Sequence, residues 1–266
     1  MSIFSLGFLR GLAATAGLLS VAQAGGIAPM TAAIERGDID EASRLGVLAG
    51  PTVIEQGLAS PVRATQLAAI AAAPAVEARA ELLPALATLA GSPDRRTAIP
   101  ATQAARSIAR ELARAAGGGE FPDDLDTDEV ASWRAQFDQL AGHRSRFIEV
   151  RVLALDTAAS LAQVIDPREV GFDLAAVLGD PDPAIRAVAI ALVPRPTPAA
   201  ARAPLANAVK NDADDKLALA AAQVLCGDDR EPALALLGAQ GLDRIKSLVV
   251  GKQPKATRDA RQCLAR

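Results

Sequence analysis

Near its C-terminus this chain comes close to repeating itself. Residues 215–225 and 254–264 carry Lys216 and Lys255, Ala221 and Ala260, Gln223 and Gln262, and Leu225 and Leu264 at a constant offset of 39 residues. Self-similarity at such a period marks stacked supersecondary units, each burying the apolar face of its neighbour. The same grammar recurs upstream. Asp180-Pro181-Asp182-Pro183 leads into an Arg186-bearing stretch with small apolar residues at three- and four-residue spacing, Ser60-Pro61-Val62-Arg63 is a shorter copy, and Ser92-Pro93-Asp94-Arg95-Arg96 opens a longer one. Ser or Asp ahead of Pro supplies a helix N-cap, and Pro is tolerated at the first helical position because its missing N–H has no partner there. Each such start follows another apolar-periodic segment, such as Leu174 to Leu178 or Leu205 to Val209. The expected unit is therefore a helical hairpin with a short turn.

Composition decides the class. Half of the 266 residues are apolar, yet aromatics make up only 3% and Tyr is absent. A core of Ala and Leu suits closely packed helices, since those residues head the helix propensities while strands draw on β-branched and aromatic side chains. The expected fold is all-α.

The leucine-rich first helix, the Asp-Pro turn and the basic residue early in the second helix, clearest from Asp173 to Leu192, resemble the HEAT and HEAT-like (armadillo-type) helical repeat family. The Trp, Gly and Tyr pattern of tetratricopeptide repeats is missing. The resemblance implies an α-solenoid of HEAT-like hairpins, a quasi-linear stack whose surfaces serve as binding platforms. The resemblance covers most but not all of the mature chain, and residues 25–266 are read as one HEAT-like repeat domain with an irregular insert near 117–172. The break from Gly117-Gly118-Gly119 to Asp126 is read as a long turn within one continuous stack.

Residues 1–24 read as a signal peptide. Arg10 supplies the charge, Gly11 to Val21 the apolar run, and Ala22-Gln23-Ala24 the small-x-small cleavage site. The apolar run is too short to span a bilayer. The expected location is periplasmic or secreted, with no transmembrane segment in the mature chain. There, the two cysteines, Cys226 and Cys263, are expected to form a disulfide, because they fall at nearly matching places of adjacent repeats; two buried thiols that never meet are the plain alternative.

Few residues carry chemistry. The run Asp123-Asp124-Leu125-Asp126-Thr127-Asp128-Glu129 begins like a calcium loop, but Glu129 stands where Gly is needed and Ala135 where Glu is needed. Asp126 as N-cap with Glu129 as its capping-box partner is the simpler reading. His143, the only histidine, beside Arg144, has neither a second His nor a nearby Cys for zinc and no evident triad. No metal, cofactor or catalytic residue is expected. Phe121, Trp133, Phe137, Phe147 and Phe172 gather in the middle of the chain, and Trp133 and Phe137 share one helix face, as either core filling or a binding patch. Arg63, Arg96, Arg186 and Lys216 recur early in second helices as candidate contacts on a concave face, or as ties between repeat turns. From residue 242 on, Arg244, Lys246, Lys252, Lys255, Arg258, Arg261 and Arg266 face only Asp243 and Asp259, a patch able to meet an anionic surface.

The function expected is a non-enzymatic scaffold or adaptor that binds a protein partner. A HEAT-like enzyme or lyase-type maturation factor is the first alternative. A nucleic-acid-binding repeat protein is the second, disfavoured by the leader and by a pI of about 5.3.

Overall fold

In the computed structural model, which describes residues 26–77, 79–119, 125–142, 147–228 and 230–265, the Ala- and Leu-rich stretches are helical, as their propensities require. Among the described residues there are fourteen α-helices, three short 3₁₀ turns and no strand. The leader, Phe121, Asp123, Asp124, His143, Arg144 and Arg266 lie outside the described residues. The chain divides into two compact units at Ile108/Ala109. The division falls inside one uninterrupted 23-residue helix and not at the glycine-rich break.

The first unit contains α1 (Ile27–Glu35), α2 (Ile39–Ala49), α3 (Pro51–Leu58), α4 (Arg63–Ala72), α5 (Leu83–Ala90) and the start of α6 (Arg95–Gly117). Three of these starts show a local cause. The Asp38 carboxylate accepts the Glu41 N–H at 3.0 Å, Pro51 opens α3, and the Ser92 and Asp94 side chains accept the Asp94 and Arg96 N–H groups ahead of α6. Here the small side chains earn their place through close approach. A methyl at Gly46 of α2 would sit 2.3 Å from the Ala72 Cβ of α4, so the two helices meet with no room for a larger residue. Met30, Ile54, Leu83 and Leu86 fill the remaining core.

The second unit contains the end of α6, α7 (Thr127–Gly142), α8 (Ile148–Ile165), α9 (Leu174–Leu178), α10 (Pro183–Ala191), α11 (Ala199–Asn211), α12 (Asp215–Cys226), α13 (Arg230–Val249) and α14 (Arg258–Gln262). Its helices alternate between two rows. In one row α9 packs on α11 and α11 on α13; in the other α8 packs on α10, α10 on α12 and α12 on α14. Contacts of α9 with α10 and of α11 with α12 join the rows into hairpins. Gly238, at φ 58° and ψ −169°, breaks α13 into two pieces.

A chain of arginines and turn aspartates links these hairpins. Arg151 of α8 donates from Nε to the Ala141 carbonyl at the end of α7, at 2.8 Å, and from Nη2 to the carboxylate of Asp180, in the turn before α10. The Asp180 carbonyl accepts from Arg186 at 2.7 Å, and Arg186 also grips Asp212, in the turn before α12, through two bonds of 2.9 and 3.1 Å. In both turns the first Asp accepts the N–H two residues on, from Asp182 at 2.9 Å and from Asp214 at 2.8 Å, and the second Asp caps the helix. Asp-x-Asp is thus one device used twice, 32 residues apart. The residue that matches Arg186 in the second use is Ala218, and Arg244 of α13 supplies the missing guanidinium, donating to the Asp212 carbonyl at 3.4 Å and to the Asp215 carboxylate at 2.6 Å.

At the end of the chain, Cys226 and Cys263 are bonded, with Cα atoms 5.5 Å apart, and both are buried. The disulfide closes α14 against the end of α12. Of the two readings of the cysteines, the bonded pair is the one observed.

After α8 the chain doubles back along its flank through Gly171, at φ 85°. A methyl there would lie 2.7 Å from the Ala158 carbonyl oxygen and 3.0 Å from the Ala159 Cα, so both the backbone angle and the space demand glycine. Gly171→Ala is expected to lose at least ~2 kcal/mol, from the left-handed backbone strain and the forced separation of the loop from α8 together. A urea titration of the purified variant measures this, and an unchanged midpoint refutes it.

Candidate functional site

The loop that Gly171 pins is what gives the second unit its main cleft. The Asp166 carboxylate accepts the Arg168 N–H at 2.9 Å and its carbonyl the Glu169 N–H at 2.9 Å, which sets the turn. Val170 and Leu174 then anchor the loop in the core, leaving Phe172 half-buried between them. Across from it, α7 presents Arg134 and Asp138, one helical turn apart. The start of α11, with Pro198, Ala201 and Pro204, forms the third wall. The volume of this open cleft is about 630 Å³.

Charges in the cleft are unevenly matched. Arg134 is held by Glu169. Asp173 caps α9, accepting the Ala176 N–H at 3.1 Å. Among the described ion pairs Asp138 has no partner. Burial, and then the Asp173 carboxylate, push the Asp138 carboxyl above its ordinary value, against the pull of the Arg134 guanidinium. A carboxyl that binds its proton more tightly when folded destabilises the native state once ionised, and that cost disappears as pH falls below about 4. Asp138→Asn is therefore expected to raise the unfolding midpoint slightly at pH 7 and to leave it unchanged at pH 3. Paired thermal melts check this, and a lower midpoint at pH 7 refutes it.

A second cleft, of about 580 Å³, adjoins the first and shares Ala175 and Pro204 with it. Asn207 and Asn211 of α11 and the ion-paired Arg186 and Asp212 line it. Both clefts open along the row of α9 and α11, the first helices of their hairpins, whereas sequence reasoning looked to the second helices. In the first unit an apolar groove of about 510 Å³ runs beside Ile34, Ile39, Leu67 and Pro100.

The residues singled out from sequence fall into separate places. Trp133, 7% exposed, and the fully buried Phe137 fill the core of α7, so the helix face next to them, with Arg134 and Asp138, is the one that meets the cleft. Arg186 is spent on the Asp180 and Asp212 turns. Arg63 is half exposed and 3.4 Å from Asp94, a looser version of the same tie within the first unit. Arg96, Lys216, Lys255 and Arg258 are exposed and are not gathered with the cleft. The Asp126 carboxylate accepts the Asp128 N–H at 2.9 Å at the start of α7, as an N-cap does. Sequence reasoning missed Asp138, Glu169 and Asp173. Phe172 was in view only as one of the central aromatics.

Among the described residues no group of three or more His, Cys, Asp or Glu side chains is placed to hold a metal ion. No described helix is long and apolar enough to cross a membrane. No protein-family model matches the chain, and no curated protein matches it in sequence.

Proposed function

We propose that this chain is a non-catalytic binding scaffold of the cell envelope or extracellular space, a HEAT-like solenoid of helical hairpins that holds an extended segment of a protein partner along the α9–α11 row. The observation that carries the reading is the pair of adjoining clefts on that row, open at the surface and walled by Ala, Pro and Asn side chains with charged residues among them. Two-row packing and the repeated Asp-x-Asp turn support a stacked-repeat architecture, in which such grooves are the usual binding surfaces. The buried disulfide, in a chain without other cysteines, supports an oxidising compartment, in line with the leader-like residues 1–24.

The test is capture of a partner that depends on the groove. The tagged chain expressed in its native host, crosslinked and purified from the envelope or culture fluid, is expected to retain a defined protein. Phe172→Ala, melting within a few degrees of the parent, is expected to lose it. Equal capture by parent and variant, or recovery of both only from the cytosol with residues 1–24 attached, counts against the reading.

A further inference from the structure

The groove itself carries information about what it holds. Its two clefts share Ala175 and Pro204, so they form one path from Asp138 to Asp212. Six carboxylates line this path against three guanidiniums. Half of the carboxylates are neutralised by ion pairs: Glu169 by Arg134, Asp212 by Arg186, and Asp180 by Arg151. The excess is concentrated at one end, where Asp138 and Asp173, close enough to repel, line the same cleft as the half-buried Phe172, with the exposed Asp166 and Arg168 beside them. Two carboxylates beside an aromatic surface suit a cationic side chain, which gains charge pairing with both and contact with the ring face. Beyond that end the path continues between Pro204, Asn207 and Asn211. The Asn207 Oδ1 accepts from Asn211 Nδ2 at 2.7 Å, which leaves the Asn207 amide nitrogen and the Asn211 amide oxygen as donor and acceptor for a peptide backbone.

We propose that the groove takes an extended basic peptide segment, with a lysine or arginine side chain seated between Asp138 and Asp173 against Phe172 and the following residues laid along Asn207 and Asn211. This assignment rests on the scaffold reading above and gives it a ligand class. The partner it fits is a basic, unstructured tail or linker of another exported protein.

The experiment measures fluorescence anisotropy of labelled decapeptides, alternating Lys-Ala, Ser-Ala or Glu-Ala, with the full mature chain at low salt. The Lys-Ala peptide is expected to bind at least tenfold more tightly than Ser-Ala, and Glu-Ala not at all. Asp138→Asn with Asp173→Asn is expected to weaken Lys-Ala binding about tenfold. Asn remains a good N-cap at position 173, so this variant keeps the helix start, and circular dichroism confirms its fold. Asn207→Ala with Asn211→Ala is expected to weaken the peptide several-fold while leaving the affinity for free spermidine unchanged. Lys-Ala binding unchanged in the Asp138/Asp173 variant overturns the proposal, because general attraction to an acidic chain then accounts for it. Spermidine binding more tightly than the peptide also overturns it, in favour of a free polyamine. Ser-Ala binding equal to Lys-Ala removes the cationic assignment but leaves the scaffold reading standing. Failure of all three peptides, together with no groove-dependent partner in the capture experiment, removes both.

Discussion

Asp180→Ala is expected to cost the folded protein about 3–5 kcal/mol, the usual penalty for removing one partner of a buried ion pair. The Arg151 and Asp180 side chains are only 6% and 8% exposed, so the guanidinium left behind keeps its bond to the Ala141 carbonyl but loses its counter-charge in a place water does not reach. The Asp182 N–H loses its acceptor as well, which loosens the turn into α10. Two controls isolate the cause. Arg63→Ala removes the half-exposed version of this tie and is expected to cost less than about 1 kcal/mol. Arg151→Met with Asp180→Leu removes both charges and is expected to recover much of the loss, since a buried pair often gives way to apolar residues at little net cost. Urea unfolding followed by circular dichroism reads all three. If Asp180→Ala and Arg63→Ala lower stability equally, burial is not what gives the ladder its strength.

The ladder also shows where sequence reasoning reached its limit. The helix starts were legible because N-caps and first-turn prolines are local: Asp182-Pro183 opens α10 and Asp94 opens α6 from information within four residues. The helical class was legible because alanine and leucine without aromatics leave little else to build a core from. Arg186 was visible as a recurrent basic residue, but its partner lies 26 residues on, and no local pattern distinguishes an arginine that grips the next turn from one offered to a ligand. Lys216 looked equivalent to it, yet alignment of the two Asp-x-Asp turns puts Ala218 at that place.

The cleft was harder still. Arg134 and Asp138 come from α7, Glu169, Phe172 and Asp173 from a loop that one glycine holds flat on α8, and Pro204 from α11. Such a site is a product of tertiary packing, with no spacing in the sequence to announce it. The aromatic pair that did stand out, Trp133 and Phe137, turned inward, because the Ala-rich neighbours of α7 leave volume that only large side chains fill. The polar residues one step further round the same helix were left for the surface.

Removing the disulfide, by Cys226→Ala with Cys263→Ala, is expected to lower stability by about 4 kcal/mol, the chain-entropy value for a loop of this length. The sequence separation is 37 residues, and the loop encloses the whole of α13 with its break at Gly238. The loss will also have a place. Helix α14 has five residues, too few to persist by its own hydrogen bonds, and its buried contacts are few: Thr257, Ala260 and Cys263. Besides the disulfide it is tied down by Arg261, which donates to the Val249 carbonyl at 2.9 Å and to the Thr257 hydroxyl at 2.8 Å, while its flanks are held by Gln223 of α12, which donates to the Ala256 carbonyl at 2.5 Å, and by Arg230, which donates to the Ala265 carbonyl. The Arg261 bonds close only over short stretches of chain, and the Gln223 and Arg230 bonds are exposed to competing water, so together they do little to hold the segment on α12 once the cross-link is gone. Native-state trypsin digestion of the variant is therefore expected to cut first after Lys255, Arg258 and Arg261, well before the second unit unfolds. The parent, digested without reductant, is expected to stay intact there. Equal digestion of both would mean that packing alone holds α14, and the whole 4 kcal/mol would then have to appear in global unfolding.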